Sequence, residues 1–566
     1  MPKNQAERPG KPAEPTSIDY QVMWNRLISI VEEQATALVR TAFSTSVREA
    51  GDLSAGIFDR KGEMLAQAVT GTPGHVNAMA DSVAHFINEI GRENIFPGDV
   101  YLTNDPWKGT GHLHDFTFTS PAFYRQELVG FFAATAHVVD IGGRGFGADA
   151  NSVYEEGLRI PITKFAERGM VNAQLVNLVR HNVRVPDQVI GDMHSLANCN
   201  ETGQKRLVNM LDEFGMNDLD HLSEYIIEHS RLATLGCINR LSSGSASSEL
   251  TVDGYFDPIH LKVGITFSRD EIRADFNGTG PVSSRGINVP LVYTKAYACY
   301  GIKCIVAPDI PNNAGSLAPF KVTAPEDCIL NARHPAPVSL RHVIGHFIPD
   351  LVFGAMHQLL PGQIPAEGAA ALWNLHISTR PVPGSDGHDP DDTAEILMFN
   401  SGGTGARPAL DGMSATAFPS GVHTMPIEAT EQVGPIIVWK KQLRPDSGGA
   451  GEYRGGLGQS MEIGVQDGYE FHFSAMFDRV KHPARGREGG QEGKSGSVAL
   501  DDGTVLRAKG KQFVPAGTRL LLEMPGGGGY GSPEKRQREA IEQDIKQGYI
   551  SMDHAITHYR YKPGQC

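Results

Sequence analysis

Apolar positions recur at spacings of three and four between residue 19 and about residue 43. Trp24, Leu27, Ile28, Val31, Ala35, Leu38 and Ala42 make one stripe. That period predicts an amphipathic helix, capped by Ser17 or Asp19. A second stripe of Met79, Val83, Phe86, Ile87 and Ile90 predicts a helix over residues 77–90, ended by Gly91. Between the two, segments 54–58 and 64–68 flank Asp59-Arg60-Lys61-Gly62, the pattern of a hairpin. Strands are predicted over 100–102, 116–119 and 128–136, and helices again within 186–245. The small-polar stretch 241–248 then reads as a linker.

Beyond it, segments 250–252, 259–267 and 271–276 alternate apolar and polar residues, with turns at Asp253-Gly254 and Asn277-Gly278. A helix is predicted over 293–306 and helical structure over 338–362. Residues 430–530 read as strands with dense glycine, and two charged helices, 534–546 and 552–559, close the chain on either side of Gly548. Strands and helices come in runs rather than in βαβ alternation. This predicts a multidomain α+β fold with mixed and antiparallel sheets and helical N-terminal and C-terminal segments. The expected organisation is a flexible tail (1–16), a first domain (17–245), a central α+β domain (246–430) and a β-rich, Gly-rich region (431–566).

Composition narrows the function. The chain has 566 residues, 51 Lys+Arg against 65 Asp+Glu, and a net charge of −14. With no basic stripe, it is a poor match for nucleic acid. Hydrophobic residues at 40% and charged residues at 20% are ordinary for globular proteins and exclude wholesale disorder. No stretch approaches the roughly 20 apolar residues of a membrane span. The first 16 residues are polar, hold four prolines and lack the apolar centre of a secretory signal, so a cytoplasmic protein without membrane contact is expected. Six cysteines without a CxxC pair predict reduced thiols rather than disulfides or a thiolate zinc site.

The sharpest chemical feature is a doubled His-x-x-Asp pattern. His112-Leu113-His114-Asp115 follows the Gly109-Thr110-Gly111 loop, and His137-Val138-Val139-Asp140 ends an apolar strand before Gly142-Gly143. Imidazole and carboxylate suit a divalent ion such as Zn, Mn or Fe. A loop before one strand and the end of its antiparallel neighbour can meet, which would join His112, Asp115 and His137. Against this stands chance pairing in a chain with 21 His. Asp52 is a further acidic candidate, or a solvated turn residue. His75 reads as a residue opening a helix, or as a substrate contact.

Other motifs fail. Gly493-Lys494-Ser495 resembles the end of a P-loop, but Glu488 stands where glycine is required. The glycines at 402–405 and 525–531 could cradle an anion, although tight turns between strands explain them as well. There is no G-x-S-x-G elbow and no HExxH, and no cysteine has a nucleophile's context.

The segment Asn104-Asp105-Pro106-Trp107-Lys108-Gly109-Thr110-Gly111-His112-Leu113-His114-Asp115 resembles the hydantoinase B/oxoprolinase family. The likeness continues through Ala136-His137 to Asp140-Ile141-Gly142-Gly143, Glu156-Gly157-Leu158-Arg159-Ile160-Pro161 and Arg184 to Asp192. It resumes at Asp275 to Gly280, Pro311 to Gly315, Arg454 to Gly458 and Gly528 to Gly531, so it spans about residues 20–560.

The resemblance implies the B subunit of an ATP-dependent cyclic-amide hydrolase acting on a lactam, hydantoin or oxoproline. A partner A subunit with an actin-like ATPase fold would use ATP to phosphorylate the substrate carbonyl. The B subunit would hold one divalent metal and hydrolyse the product. Two A and two B subunits are the expected assembly. The family's ligand set falls on His112, Asp115 and His137, with Asp52 as the extra carboxylate. His114 or Asp140 would manage the proton, and His75 would touch substrate. Two residues depart from the family pattern: Val138 replaces a histidine and His114 a proline. A subunit of an acetone- or acetophenone-type carboxylase and a non-catalytic scaffold for the ATPase are the alternatives.

Overall fold

The computed structural model describes residues 16–70, 72–370, 372–384, 389 and 392–564. The expected N-terminal tail lies, apart from Thr16, outside the described residues.

The first helix, Ser17–Thr41, starts at a capping box: Thr16 accepts from the Asp19 amide, and the Asp19 carboxylate accepts from the Thr16 amide. Its apolar stripe packs with the long helix Pro186–Phe214 onto one face of a seven-stranded antiparallel sheet. The strands are β1 (Leu53–Asp59), β2 (Met64–Gln67), β3 (Val100–Thr103), β4 (Asp115–Tyr124), β5 (Glu127–His137), β6 (Thr163–Glu167) and β7 (Met170–Val171). Their order is β2-β1-β5-β4-β3-β6-β7. Helix Pro73–Ile90 covers the opposite face through Met79, Val83 and Phe86 against Phe58, Phe131 and Tyr101. Both faces of the central strands are therefore buried, which is why β5 reads as a continuous apolar run rather than an alternating one. The predicted hairpin is β1–β2.

The second sheet holds Gly244–Val252, Ile259–Phe267, Ile272–Asp275 and Phe320–Thr323, the last two parallel and the others antiparallel. Residues 244–248 of the expected 241–248 linker are thus strand: their small polar residues form a sheet edge with alternating exposure. Helices Leu291–Val306 and Ile348–Leu359 share this sheet's core. Two antiparallel four-stranded sheets follow, enclosing Trp373, Met461, Phe471, Phe473, Leu520 and Leu522 between them. Helices Arg538–Lys546 and Met552–Tyr559 close the described chain. The α+β class with mixed and antiparallel sheets is the observed architecture.

The glycine-dense segments are neither anion cradles nor simple turns. They are extended stretches crossing one another, with most of their amides spent on neighbouring carbonyls: Gly456 N donates to Thr404 O, Gly527 N to Gly456 O and Gly449 N to Gly527 O. The approach is too close for side chains. A Cβ on Gly403 would lie 1.8 Å from the Gly456 carbonyl oxygen, and one on Gly527 would lie 1.9 Å from that of Thr404.

Candidate metal centre

Strand register assembles the site. Asp115 opens β4 and His137 closes β5, and the two are direct partners across the ladder. Leu53 pairs with Ala136, so Asp52 sits beside His137, whose amide donates to the Asp52 carbonyl at 3.1 Å. Asp52, Asp115 and His137 thus share one end of three adjacent strands. His112 reaches them from the loop before β4. Asn104 fixes that loop by donating to Leu113 O (2.8 Å) and Leu158 O (2.9 Å) while accepting from Ile160 N. Asp105 takes the Arg159 guanidinium at 2.6 Å. Gly111 has φ +102°, and a Cβ there would stand 2.6 Å from Arg341 Cδ, so a side chain at this point would displace the arginine.

One ligand atom each from His112, Asp115 and His137 lie within 4.8 Å of one another, and all three residues are buried. His112 Nε2 is 2.7 Å and His137 Nδ1 3.2 Å from Asp115 Oδ1. The other oxygen, Asp115 Oδ2, is saturated: it accepts from Thr110 Oγ1 and Arg341 at 2.5 Å each, and His75 Nε2 stands at 3.0 Å. Burial opposes ionisation of Asp115, but His75 and the Arg341 guanidinium hold its carboxyl well below the usual range.

The donor chemistry fits a cation. His112 Nδ1 lies 2.7 Å from the Ser339 carbonyl oxygen, which can only accept, so Nδ1 carries the hydrogen. Burial, with the Arg341 charge, pushes His112 down to about 3, so the ring is neutral near pH 7. Its Nε2 lone pair therefore faces a carboxylate oxygen at 2.7 Å. Two electron-pair donors this close are placed to share a cation. His137 Nε2 is likewise buried without a partner. The chamber here has a volume of about 20 Å³, room for an ion or a single water.

Asp52 stands slightly back. Its Oδ2 is 4.0 Å from His137 Nδ1, and its Oδ1 accepts from Thr72 Oγ1 at 2.9 Å. His75, in the first turn of helix Pro73–Ile90, faces both carboxylates. Burial disfavours its charge, but Asp115 and Asp52 together raise it above the ordinary histidine value. His114 stacks on His137 with ring centroids 5.3 Å apart, and neither of its nitrogens has a partner. Burial, helped by neighbouring imidazoles, keeps it well below the ordinary value and hence neutral.

Asp140 does not join the group. The chain leaves β5 at His137, and Asp140 turns to accept from Gly142 N (3.0 Å) and from Arg184 at its amide and guanidinium (2.6 Å for the latter). A carboxylate so occupied is a poor base for chemistry beside Asp115.

The far wall comes from residues outside every motif singled out in the sequence. Arg341 packs over the Tyr293 ring at 4.1 Å while bonding Asp115 and Thr110. His342 stacks on Phe146, and His346 lies 5.4 Å from His342. Burial drives both histidines down, His346 to about 3. The available signal was Arg341-His342 with His346 four residues on, an i,i+4 histidine pair on a short apolar stretch.

The hydantoinase B/oxoprolinase family model matches residues 16–533. An uncharacterized protein of Methanocaldococcus jannaschii is 31% identical over 562 residues, covering 96% of both chains. The putative B subunit of a D-/L-hydantoinase from Pseudomonas sp. (strain NS671) is 28% identical, covering 96% of this chain and 94% of its own. Among solved structures, the ATP-dependent caprolactamase of Pseudomonas jessenii superposes with a TM-score of 0.86 at 23% identity, covering 98% of both chains; it speaks to the fold.

Proposed function

The chain belongs to the hydantoinase B/oxoprolinase family, and from that premise we propose that it is the metal-holding B subunit of an ATP-dependent cyclic-amide hydrolase. The single observation that carries the reading is the His112–Asp115–His137 cluster: three buried ligand atoms that converge within 4.8 Å, with His137 Nε2 left without a partner.

An amide carbonyl is a weak electrophile. Phosphorylation of its oxygen, by an A-type ATPase subunit, makes the carbon open to water. Addition of water and cleavage of the C–N bond release the ring nitrogen with a proton and leave an acyl phosphate. Hydrolysis of that phosphate yields the carboxylate and inorganic phosphate. A divalent ion held by His112, Asp115 and His137, with Asp52 beside them, would supply Lewis-acid chemistry and a nucleophilic water at neutral pH. Arg341 and Thr110 occupy Asp115 Oδ2, which leaves Oδ1 turned to the two histidines. His75 braces both carboxylates from the helix side. His114 has two unpartnered nitrogens, stacks on the His137 ring and is the base we favour over Asp140. Phe146 stands edge-on to the His112, His114 and His137 rings and keeps that side dry.

The partner is the A-type ATPase subunit, in an assembly of two A and two B chains. A reactive phosphorylated intermediate favours a lasting contact over free diffusion. The test is co-expression with such an ATPase and assay of lactams, hydantoins and 5-oxoproline with and without ATP. Ring opening that needs ATP, both chains and the metal supports the reading. Turnover that instead requires bicarbonate marks a carboxylase.

A further inference from the structure

Glu156, the first residue of the motif Glu156-Gly157-Leu158-Arg159-Ile160-Pro161, plays no part in the account above, yet it is among the most buried acids of the chain, at 1% exposure. Glu156 ends the short helix Val153–Glu156. Its Oε1 accepts two amides of a distant segment, Val338 N at 2.6 Å and Ser339 N at 2.8 Å, and its Oε2 has no partner. A salt-bridging cation is missing around it among the described residues, and burial pushes its carboxyl up to about 8.

What the carboxyl holds matters more than its own charge. Ser339 turns its carbonyl to His112 Nδ1 at 2.7 Å and thereby sets that ring's tautomer. Two residues on, Arg341 donates to Asp115 Oδ2 and to the Thr110 carbonyl. The neighbouring Leu340 amide is tied to Gly286 O at 2.7 Å, and Val153 N to Pro335 O at 3.1 Å. The candidate ligands thus come from the first sheet, while their outer supports come from segment 338–341, docked by Glu156.

We propose that Glu156 is a positioning residue of the metal centre: by fixing the Val338 and Ser339 amides it aims the Ser339 carbonyl at His112 and Arg341 at Asp115. The inference rests on the reading that His112, Asp115 and His137 hold a metal. Residues that orient metal ligands typically carry about 10- to 100-fold in metal affinity. Glu156→Leu removes the acceptor and orphans two buried amides, whereas Glu156→Gln keeps an acceptor oxygen in place and resembles the protonated carboxyl.

The experiment uses the full chain and needs no substrate. Zinc affinity is measured by chelator competition, and the visible ligand-field spectrum is recorded after cobalt loading. For Glu156→Leu, zinc affinity should fall about 10- to 100-fold and the cobalt bands should move, while Glu156→Gln should restore both close to wild type. If Glu156→Leu does not fold, Glu156→Asp, which withdraws the carboxyl by one methylene, is judged by the same criteria. A folded Leu or Asp variant with wild-type affinity and spectrum overturns the proposal, as does a Gln variant as impaired as Leu. Wild-type protein that binds no metal overturns the metal reading itself and this inference with it.

Discussion

Two buried regions of this molecule are built from opposite materials. At the end of the first sheet, histidines, aspartates and an arginine are packed away from water, and several of their polar atoms have no partner. In the C-terminal half, glycine segments cross with almost no side chain, and their amides and carbonyls bond one another. Both regions are dense in family motifs. The difference is unspent valence. The glycine crossing has closed most of its hydrogen bonds and serves as support, whereas the cluster leaves buried polar atoms such as His137 Nε2 without a partner. On this view, damage to the crossing appears as lost folding, and damage to the cluster as lost metal and lost activity.

The largest effect should follow Gly403→Ala. The new methyl would meet the Gly456 carbonyl at 1.8 Å, a backbone atom with no rotamer to give way. The cost should exceed the ~1–3 kcal/mol of ordinary overpacking. Soluble yield and thermal denaturation check it, and a variant with wild-type melting behaviour would erase the contrast between the regions.

Next in size is a pH effect at Glu156. Its folded value, about 8, lies above that of an exposed carboxyl. The folded state therefore holds the proton longer than the unfolded chain. Its stabilising contribution is whole below the unfolded value and is lost as pH rises, by up to about 1.4 kcal/mol per pH unit between roughly pH 5 and 8. Glu156→Gln should remove this loss, so denaturant melts should show the variant gaining on wild type across that window and then levelling. A constant difference would contradict the assignment.

His112→Ala should leave metal-free stability nearly unchanged while abolishing metal retention and ATP-dependent ring opening. Comparison of metal-free melts with elemental content tests it, and a variant that fails to fold would make the cluster structural, like the glycines. The smallest effect is expected from Asp140→Asn, because Arg184 and Gly142 already occupy that carboxylate. Metal content should stay at the wild-type level, and a loss of turnover as severe as that of His114→Ala would return Asp140 to the chemistry.

Much of the scaffold could be read from periodicity. The stripe from Trp24 to Leu38 and the β1–β2 hairpin are local patterns, decided within a few residues. The doubled His-x-x-Asp motif made the meeting of His112, Asp115 and His137 at a loop and a neighbouring strand end legible, but not the register. Register makes Asp115 and His137 ladder partners, and the second copy breaks because β5 ends before Asp140. Arg341 and the Ser339 carbonyl were out of reach, since they meet Asp115 and His112 across more than 200 residues of chain. The first part of the strand Gly244–Val252 was hidden, although 250–252 was legible, because small polar residues at a sheet edge look like a linker. The glycine crossing was hidden for a related reason: without side chains there is no hydrophobic period to follow.

The central claim is that the cluster holds an ion in the native chain. The most direct test is elemental analysis of purified wild-type and His112→Ala protein, produced with zinc, manganese and iron supplied. The predicted result is about one divalent ion per wild-type chain and none in a folded variant. Metal-free wild-type protein, or a variant that keeps its full metal content, would contradict it.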